Sequence, residues 1–257
     1  MKIVLLGSGN VATHLGPALQ QGGHEILQVW SRTLSNAARL GGVLSADFTD
    51  DLSMLDHSAD IYIISVKDDA IGEVASSFPF PDKLLVHTSG TAGMDLLGKD
   101  RLYAGVFYPL QTFSKQKPIN FHEVPILTEG STAELGISLN ELGASISKTV
   151  QAADSAQRAS IHLAAVFACN FSNHLYTVSK GLLEKGGLNF NLLLPLIAET
   201  AAKVQHLDPA DAQTGPAARN DHETISRHKE QLKASPDLLQ LYSLMTESII
   251  RFKHSDQ

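Results

Sequence analysis

Short apolar runs alternate with helical stretches along the first half of the chain. Residues 2–6 form an apolar run after one lysine, which is typical of a strand buried on both faces of a parallel sheet. Residues 10–21 carry apolar side chains at helical spacing and precede two glycines, a common end of a helix. Further strands are predicted at residues 25–30, 61–66, 84–87, 102–107, 125–128 and 145–150. This alternation predicts an α/β fold with a doubly wound, mainly parallel sheet.

The second half of the chain has the pattern of helices alone. Residues 152–185 contain no proline, and apolar side chains surround most of the predicted helix, so we expect it to be buried on several sides. Further helices are predicted at residues 191–206, 223–233 and 236–252. These patterns predict two domains, an α/β domain at residues 1–152 and an all-helical domain at residues 153–257.

Composition narrows the classes of function. Only 18% of the 257 residues are charged, against about 25% in a typical soluble domain, which argues against disorder. The net charge of −7 argues against binding nucleic acid by neutralising its phosphates. The single cysteine, Cys169, has no partner for an internal disulfide, so we expect a reducing, cytoplasmic location and Cys169 in the core. No apolar stretch has the length of a membrane span, so no membrane partner is expected. The histidine spacing predicts no metal site.

One glycine-rich segment connects the first predicted strand with the first helix. It consists of Gly7, Ser8, Gly9, Asn10, Val11 and Ala12. Gly7 permits a tight turn, Gly9 lets the backbone approach a pyrophosphate, and the small Ala12 lets helix and strand pack closely. The amides at the start of the helix then face the phosphate charge. The segment therefore predicts a dinucleotide site.

The end of the second strand indicates which dinucleotide is bound. An NAD site usually has an acidic residue there, whereas this chain has Ser31, Arg32 and Thr33, which suit the 2′-phosphate of NADP. Alternatively, Arg32 is a solvated loop residue. After the third strand, Val66 and Lys67 are expected to flank the dinucleotide, and an aspartate at 68 or 69 to cap the next helix.

Segments 7–12, 31–33 and 66–67 resemble the N-terminal domain of pyrroline-5-carboxylate reductases and, more broadly, the 6-phosphogluconate dehydrogenase-like superfamily. Segments 87–90 (His-Thr-Ser-Gly), 108–113 and 214–221 resemble a narrower bacterial group of Rossmann-like NADP oxidoreductases with a C-terminal helical domain of unknown function. The resemblance spans nearly the whole chain. It implies an N-terminal Rossmann sheet, an all-helical C-terminal domain and NADP-dependent oxidoreductase activity.

In the superfamily, the long central helix carries a catalytic lysine with an asparagine one turn later. Here Asn170 matches the asparagine, but Val166 stands in the lysine position, so we expect His162, two turns before Asn170, to act as a general acid. Pyrroline-5-carboxylate reductases also lack the lysine. The alternative for His162 and Asn170 is a structural role inside a buried helix.

Three residues are candidates to contact substrate. Ser89 and Gly90 end the fourth predicted strand beside the expected nicotinamide, and Ser89 is also a candidate catalytic residue. Arg219 is a candidate to bind a carboxylate, or alternatively an ordinary surface residue. Tyr108 is expected to have a structural role in a constrained turn.

The function expected from these features is NADP-dependent hydride transfer to or from a small carbonyl or imino acid, either ketopantoate-like or pyrroline-carboxylate-like, in a cleft between the domains. The missing lysine leaves open a non-catalytic dinucleotide-binding regulatory or scaffold protein. The helical half has more apolar surface than a small bundle needs, and related reductases dimerise through such helices. We therefore predict a homodimer.

Overall fold

An eight-stranded sheet organises the first part of the chain in the computed structural model, which describes residues 1–254. Its strands are β1 (Lys2–Leu6), β2 (Glu25–Trp30), β3 (Asp47–Thr49), β4 (Ile61–Ile64), β5 (Leu84–His87), β6 (Ala104–Pro109), β7 (Ile126–Gly130) and β8 (Val150–Ala152). They lie in the order β3-β2-β1-β4-β5-β6-β7-β8, and every pairing is parallel except that of β6 with β7. The predicted α/β class with a doubly wound, mainly parallel sheet is confirmed.

The strand order reverses direction at β1. From β1 the chain adds β2 and β3 on one side and then crosses over to β4, β5 and β6 on the other. The carboxyl ends of β1 and β4 therefore flank a topological switch point, which is where open α/β sheets bind ligands.

Helices cover both faces of the sheet. The helices of this part are α1 (Asn10–Gln21), α2 (Leu34–Leu44), α3 (Ile71–Ser76) and α4 (Ala133–Ala144). Alternate residues of β1 enter two separate cores: Leu5 packs in the core that contains residues of α1, α2 and α4, and Leu6 in the core that contains residues of α3. Burial on both faces explains the continuous apolar run at the start of the sequence.

The bounds of four strands differ from the prediction, and β3 was not predicted. Strand β4 ends at Ile64 rather than at residue 66, and β7 covers Ile126–Gly130 rather than residues 125–128. Strand β6 begins at Ala104 rather than at residue 102, because Leu102 is 72% exposed outside the sheet, and it continues to Pro109. The strand predicted at residues 145–150 is wrong over most of its length. Residues 145–149 leave α4 in a loop, where the Ser147 hydroxyl donates to the Val124 carbonyl over 2.6 Å, and β8 begins only at Val150.

The remaining elements are helical. They are α5 (Ser155–Ala165), a π-helical segment (Val166–Phe171), α6 (Ser172–Lys185), α7 (Leu194–Lys203), α8 (Pro209–Ala212), α9 (His222–Gln231) and α10 (Pro236–His254). Helix α5 begins with a capping box, in which the Asp154 side chain accepts from the Gln157 amide and the Gln157 side chain accepts from the Asp154 amide. Within residues 1–254, no helix has both the length and the apolar character needed to cross a membrane.

The helix predicted to be buried on several sides is largely exposed in the single chain. Leu163, Phe167 and Phe171 are 59%, 63% and 49% exposed, and Cys169, expected in the core, is exposed as well. These two predictions are wrong because the apolar side chains find no covering layer within one chain.

The chain forms two compact units, Met1–His174 and Leu175–Gln257. The first contains the sheet, α5 and the π-helical segment, and the second contains most of α6 and helices α7 to α10. The division into domains 1–152 and 153–257 stays a prediction, and its last three residues, 255–257, lie outside the described residues.

Candidate active site

A cavity of about 530 Å³ lies at the carboxyl ends of β1, β2 and β4. It is lined by Gly7, Ser8, Gly9, Asn10, Val11, Trp30, Ser31, Arg32, Thr33, Asn36, Ser65, Val66, Lys67 and Lys115. Every residue predicted to bind the dinucleotide lines this cavity except Ala12, which is fully buried in the core. The three strand ends therefore bring together segments that are far apart in the sequence.

The turn at Gly7 has a backbone that only glycine adopts readily. Its φ is +136°, and a Cβ there would lie 2.3 Å from the Ser65 carbonyl oxygen after β4. The Gly7 amide donates to the Trp30 carbonyl over 2.8 Å, and the Ser8 and Ser31 hydroxyls lie 3.0 Å apart. The absent side chain thus lets the ends of β1, β2 and β4 converge around the start of α1.

The cavity is cationic. Arg32, Lys67 and Lys115 line it, and none of its described lining residues is acidic. Trp30 also lines it, and among residues 1–254 its buried indole Nε1 has no hydrogen-bond partner. Three positive charges, a helix N-terminus and a buried donor without an acceptor fit the phosphates and polar oxygens of NADP.

Lys115 was not identified from the sequence. Its ammonium donates to the Ser8 carbonyl over 3.1 Å from a loop after β6. That loop is held against α1, since the Asn10 side chain donates to the Phe113 carbonyl over 3.1 Å and His14 Nε2 lies 2.9 Å from the Ser114 carbonyl. Lys115 stands more than 100 residues after the glycine-rich turn, and no motif signals this contact.

The turn after β5 contains Ser89, and its hydroxyl is fully engaged. Ser89 Oγ donates to Asp68 Oδ2 over 2.7 Å and accepts from the amides of Thr91 and Ala92 over 3.1 and 2.9 Å. The Thr91 hydroxyl donates to the same carboxylate oxygen over 2.6 Å. The helix cap expected from Asp68 or Asp69 is wrong, because α3 has Ala70 at its N-cap and no side-chain hydrogen bond there. The Asp68 side chain instead links the segment after β4 to the turn after β5.

Tyr108 and His162 meet at the carboxyl end of β6. The Tyr108 hydroxyl lies 3.2 Å from His162 Nδ1, and both side chains are half-buried. A Cβ on Gly90 would lie only 2.6 Å from Tyr108 Cζ and 2.8 Å from its hydroxyl oxygen, so the phenol packs directly on the Gly90 backbone. Burial and the Asp68 charge raise the pKa of Tyr108. Tyr108 was expected only to shape a turn, although its position at a strand end was visible in the sequence.

Behind this cluster lies a buried charged group, Arg158. Its guanidinium is fully buried and pairs with Glu129 of β7, and it donates to the Ala92 and Ala153 carbonyls over 3.1 and 3.0 Å. These bonds tie the first turn of α5 to the turn after β5 and to β7. Arg158 thereby fixes the helix that carries His162 one turn later.

His87, at the end of β5, is also fully buried. The Ser89 amide donates to its Nδ1 over 3.2 Å, so Nε2 carries the proton and donates to the Gly93 carbonyl over 3.3 Å. Burial, together with the Arg158 charge, lowers the pKa of His87 to about 4. The ring is therefore neutral at pH 7 and holds the turn that presents Ser89 and Gly90.

Two family models match separate parts of the chain, and solved structures match nearly all of it. Residues 2–90 match the family described as "NADP oxidoreductase coenzyme F420-dependent", and residues 124–249 match a domain of unknown function, DUF2520. BF3122 from Bacteroides fragilis, assigned as an NADP oxidoreductase, is 43% identical, with 97% of this chain and 98% of that one covered and a TM-score of 0.90. The chain belongs to this family of NADP oxidoreductases. The predicted cofactor, NADP, is thereby confirmed, as is the predicted class of enzyme.

This NADP oxidoreductase also shares its fold with more distant proteins. A reductive aminase from Aspergillus terreus, in complex with NADPH and ethyl levulinate, is 19% identical, with 97% of this chain and 93% of that one covered and a TM-score of 0.71. A 1-pyrroline-5-carboxylate reductase from Streptococcus pyogenes is 13% identical, with coverages of 97% and 98% and a TM-score of 0.64. Identities this low show a common fold alone. No curated protein matches the chain.

Two predicted site residues of the NADP oxidoreductase, Asn170 and Arg219, are exposed. Asn170 is exposed within the π-helical segment, and the Arg219 guanidinium is largely exposed, with one nitrogen 4.0 Å from an Asp221 carboxylate oxygen. His162 and Asn170 were expected two turns apart on one α-helix, but the π-helical segment begins between them and has more residues per turn than an α-helix. The roles of Asn170 and Arg219 stay predictions. No group of three or more potential metal ligands occurs within residues 1–254.

Proposed function

We propose that this NADP oxidoreductase transfers a hydride between NADP and a small carbonyl or imino acid, with a ketopantoate-like or pyrroline-carboxylate-like substrate. One observation carries the proposal. The cationic cavity lies at the carboxyl ends of β1, β2 and β4, and His162 meets Tyr108 at the carboxyl end of β6, on the same edge of the sheet. A dinucleotide that extends along this edge would bring its nicotinamide toward a group that can exchange a proton.

In this proposal the glycine-rich segment holds the pyrophosphate through the amides of Ser8, Gly9, Asn10 and Val11, while Gly7 provides the tight turn and Ala12 is the packing residue beneath.

The segment after β2 and the segment after β4 hold the rest of the cofactor. Ser31, Arg32 and Thr33 bind the 2′-phosphate, and Val66 and Lys67 flank the part of the dinucleotide that leads to the nicotinamide. When bound, NADPH supplies the hydride for the substrate carbon.

The substrate contacts in this proposal come from the residues that the sequence singled out for this role. Ser89 and Gly90 contact the substrate from the turn after β5, and Ser89 acts through the hydrogen-bonded turn that it closes. His162 supplies a proton and Asn170 orients the reacting group. Arg219 binds the substrate carboxylate. The distant reductases support this choice of substrate, because one is a 1-pyrroline-5-carboxylate reductase and another was solved with NADPH and the keto ester ethyl levulinate.

Cofactor binding is tested first, because it does not depend on the substrate. Trp30 is the only tryptophan and lines the cavity, so its fluorescence reports on binding. We expect NADPH to bind more tightly than NADH, and Arg32→Ala to reduce this preference by about tenfold, the effect of losing roughly 1.4 kcal/mol from a charge-assisted contact. Tighter binding of NADH to the unaltered protein would contradict the role of Arg32.

Turnover is then measured as NADPH oxidation with ketopantoate, pyruvate, 1-pyrroline-5-carboxylate and 2-methyl-1-pyrroline. Oxidation with at least one of these compounds, lost in His162→Ala with NADPH binding retained, supports the reductase. NADPH binding with no turnover of any compound would favour the non-catalytic dinucleotide-binding protein instead. Failure to bind either dinucleotide would contradict both functions.

We further propose that the enzyme is a cytoplasmic homodimer. The exposed side chains of Leu163, Phe167 and Phe171 form an apolar surface on the long helix, and such surfaces mark protein interfaces. The single cysteine fits a reducing location. In this view residues 1–152 bind NADP and residues 153–257 contact substrate and the second subunit. Light scattering after gel filtration should give the mass of a dimer, and Phe167→Glu should give a monomer. A monomeric unaltered protein would contradict the proposal.

A further inference from the structure

We propose that the Tyr108 hydroxyl is the group that gives its proton to the substrate, and that His162 restores that proton from solvent. The inference rests on the proposed reductase function and names the reacting atom that the sequence did not. In this arrangement His162 contacts Tyr108 and does not contact the substrate.

The geometry links the two side chains directly. Tyr108 Oη and His162 Nδ1 lie 3.2 Å apart, and they come from different elements, β6 and α5. His162 is partly exposed, so its ring can exchange protons with solvent. Because α5 is fixed by the buried Arg158, the histidine is held at hydrogen-bond distance rather than free on the surface.

The position of Tyr108 suits a substrate beside the nicotinamide. The carboxyl ends of β1, β4, β5 and β6 follow one another along the same edge, and the cationic cavity occupies the β1 and β4 ends. The Thr88 amide donates to the Ile64 carbonyl over 3.0 Å, so the turn after β5 lies immediately beside the cavity wall. Tyr108 is the next side chain along this edge, packed on the bare backbone of Gly90.

The neighbouring hydroxyl, Ser89, is a poor proton donor by comparison. Its hydrogen is committed to Asp68 over 2.7 Å, and its oxygen accepts from two backbone amides. The charged and titratable groups that act on Tyr108 are Asp68 and His162. Burial and the Asp68 charge raise the pKa of the phenol, so it keeps its proton at neutral pH and can release it when negative charge develops on a substrate heteroatom.

The reaction then balances as follows. As the substrate carbon accepts hydride from NADPH, the second electron pair of the C=O or C=N bond moves to the heteroatom, which takes the proton from Tyr108 Oη. NADPH is oxidised to NADP⁺, and the substrate is reduced to an alcohol or amine. His162 Nδ1 then passes a proton to the phenolate, and the ring takes a proton from solvent in its place.

Three variants separate this arrangement from a structural contact. Tyr108→Phe removes the hydroxyl and keeps the ring on Gly90. His162→Gln removes the imidazole ring. Tyr103→Phe is the matched control, because Tyr103 precedes β6 and is 44% exposed. We expect Tyr108→Phe to lower kcat by about 10²- to 10⁴-fold, the usual contribution of a general acid, with the NADPH Kd unchanged by Trp30 fluorescence. Tyr103→Phe should leave both unchanged.

The second readout needs no turnover. Protein labelled with ¹³C at the tyrosine Cζ has five resonances, one for each tyrosine, and Tyr108→Phe identifies the one that belongs to residue 108. Its titration should report a pKa raised from that of an ordinary tyrosine, because the side chain is buried and lies near the Asp68 charge, and Asp68→Asn should lower that pKa. His162→Gln should shift the resonance, and it should lower kcat with a changed pH profile of kcat.

Failure of this inference is distinguishable from failure of the reductase proposal. If the unaltered protein oxidises NADPH and Tyr108→Phe keeps kcat within about twofold, Tyr108 is not the proton donor and the reductase stands. If His162→Gln leaves the Tyr108 resonance in place, the pair itself is overturned whatever the activity. If no compound is turned over while NADPH binds, the reductase proposal falls and takes this inference with it.

Discussion

Mild acid should destabilise the protein through one residue behind the candidate site, His87. Its ring is fully buried and neutral, with Nδ1 accepting from the Ser89 amide and Nε2 donating to the Gly93 carbonyl. Protonation would place a second N–H at Nδ1 against the Ser89 amide and a positive charge near Arg158. The turn that carries Gly90 would lose the contact that holds it.

The magnitude follows from the two pKa values. The folded protein has a His87 pKa of about 4, against 6.5 for an unperturbed histidine. Between these values the unfolded chain binds more protons than the folded chain, so the free energy of unfolding falls as the pH falls. The contribution of the neutral His87 ring to the free energy of unfolding is fully present above pH 6.5. About 2 kcal/mol is lost between pH 7 and pH 5, and roughly 3.4 kcal/mol in total below pH 4.

Urea unfolding at pH 7 and pH 5, followed by circular dichroism, measures this loss. The asparagine in His87→Asn does not titrate, so this variant should lose about 2 kcal/mol less than the unaltered protein over the same interval. His206→Asn, at an exposed position, should lose as much as the unaltered protein. Equal losses in His87→Asn and the unaltered protein would refute the reasoning. If His87→Asn does not fold, ¹⁵N-histidine NMR of the unaltered protein decides, since a His87 pKa near 6.5 would also refute it.

Three further predictions concern the glycine-rich turn, the buried ion pair and the loop after β6. Gly7→Ala should strongly lower the melting temperature, because its Cβ would lie 2.3 Å from a carbonyl oxygen and the residue would have a φ of +136°. Gly9→Ala is the control and should fold, because the nearest atom to its Cβ would be 3.7 Å away. Equal melting temperatures of the two variants would contradict this prediction. Arg158→Met should lower the free energy of unfolding by about 3–5 kcal/mol in urea, because it leaves a carboxylate without its buried partner; a loss below about 1 kcal/mol would argue against a structural role. Lys115→Ala should raise the NADPH Kd, measured by Trp30 fluorescence, about tenfold. Lys117→Ala, at a residue outside the cavity, should leave the Kd unchanged. Equal Kd values for the two variants would show that Lys115 does not belong to the site.

The sequence predicts most of the sheet and the cofactor cavity because both depend on local patterns. A continuous apolar run reports burial on two faces, and the glycine-rich turn directly follows the first such run. The residues after β2 and β4 were placed in the cavity from their position at strand ends, since parallel strands present their carboxyl ends at one edge.

The contacts that depend on the path of long loops and on distant pairing were not predictable in this way. Lys115 reaches Ser8, and Tyr108 reaches His162, only because β6 ends beside the site and α5 is anchored by Arg158. The exposed apolar helix was misjudged because periodicity shows which side chains seek cover, but not whether one chain supplies it.

The buried bonds of Arg158 make the first turn of α5 a fixed pivot. When a helix rotates about a fixed residue, the residues next to that residue move least and those at the far end of the helix move most. His162 lies one turn beyond Arg158, whereas Phe171 lies more than three turns away along the helix. The helix can therefore tilt at its far end while the separation of Tyr108 and His162 stays nearly constant. Such a tilt would change the surroundings of Asn170 before it changed the distance between Tyr108 and His162 across which the proton moves.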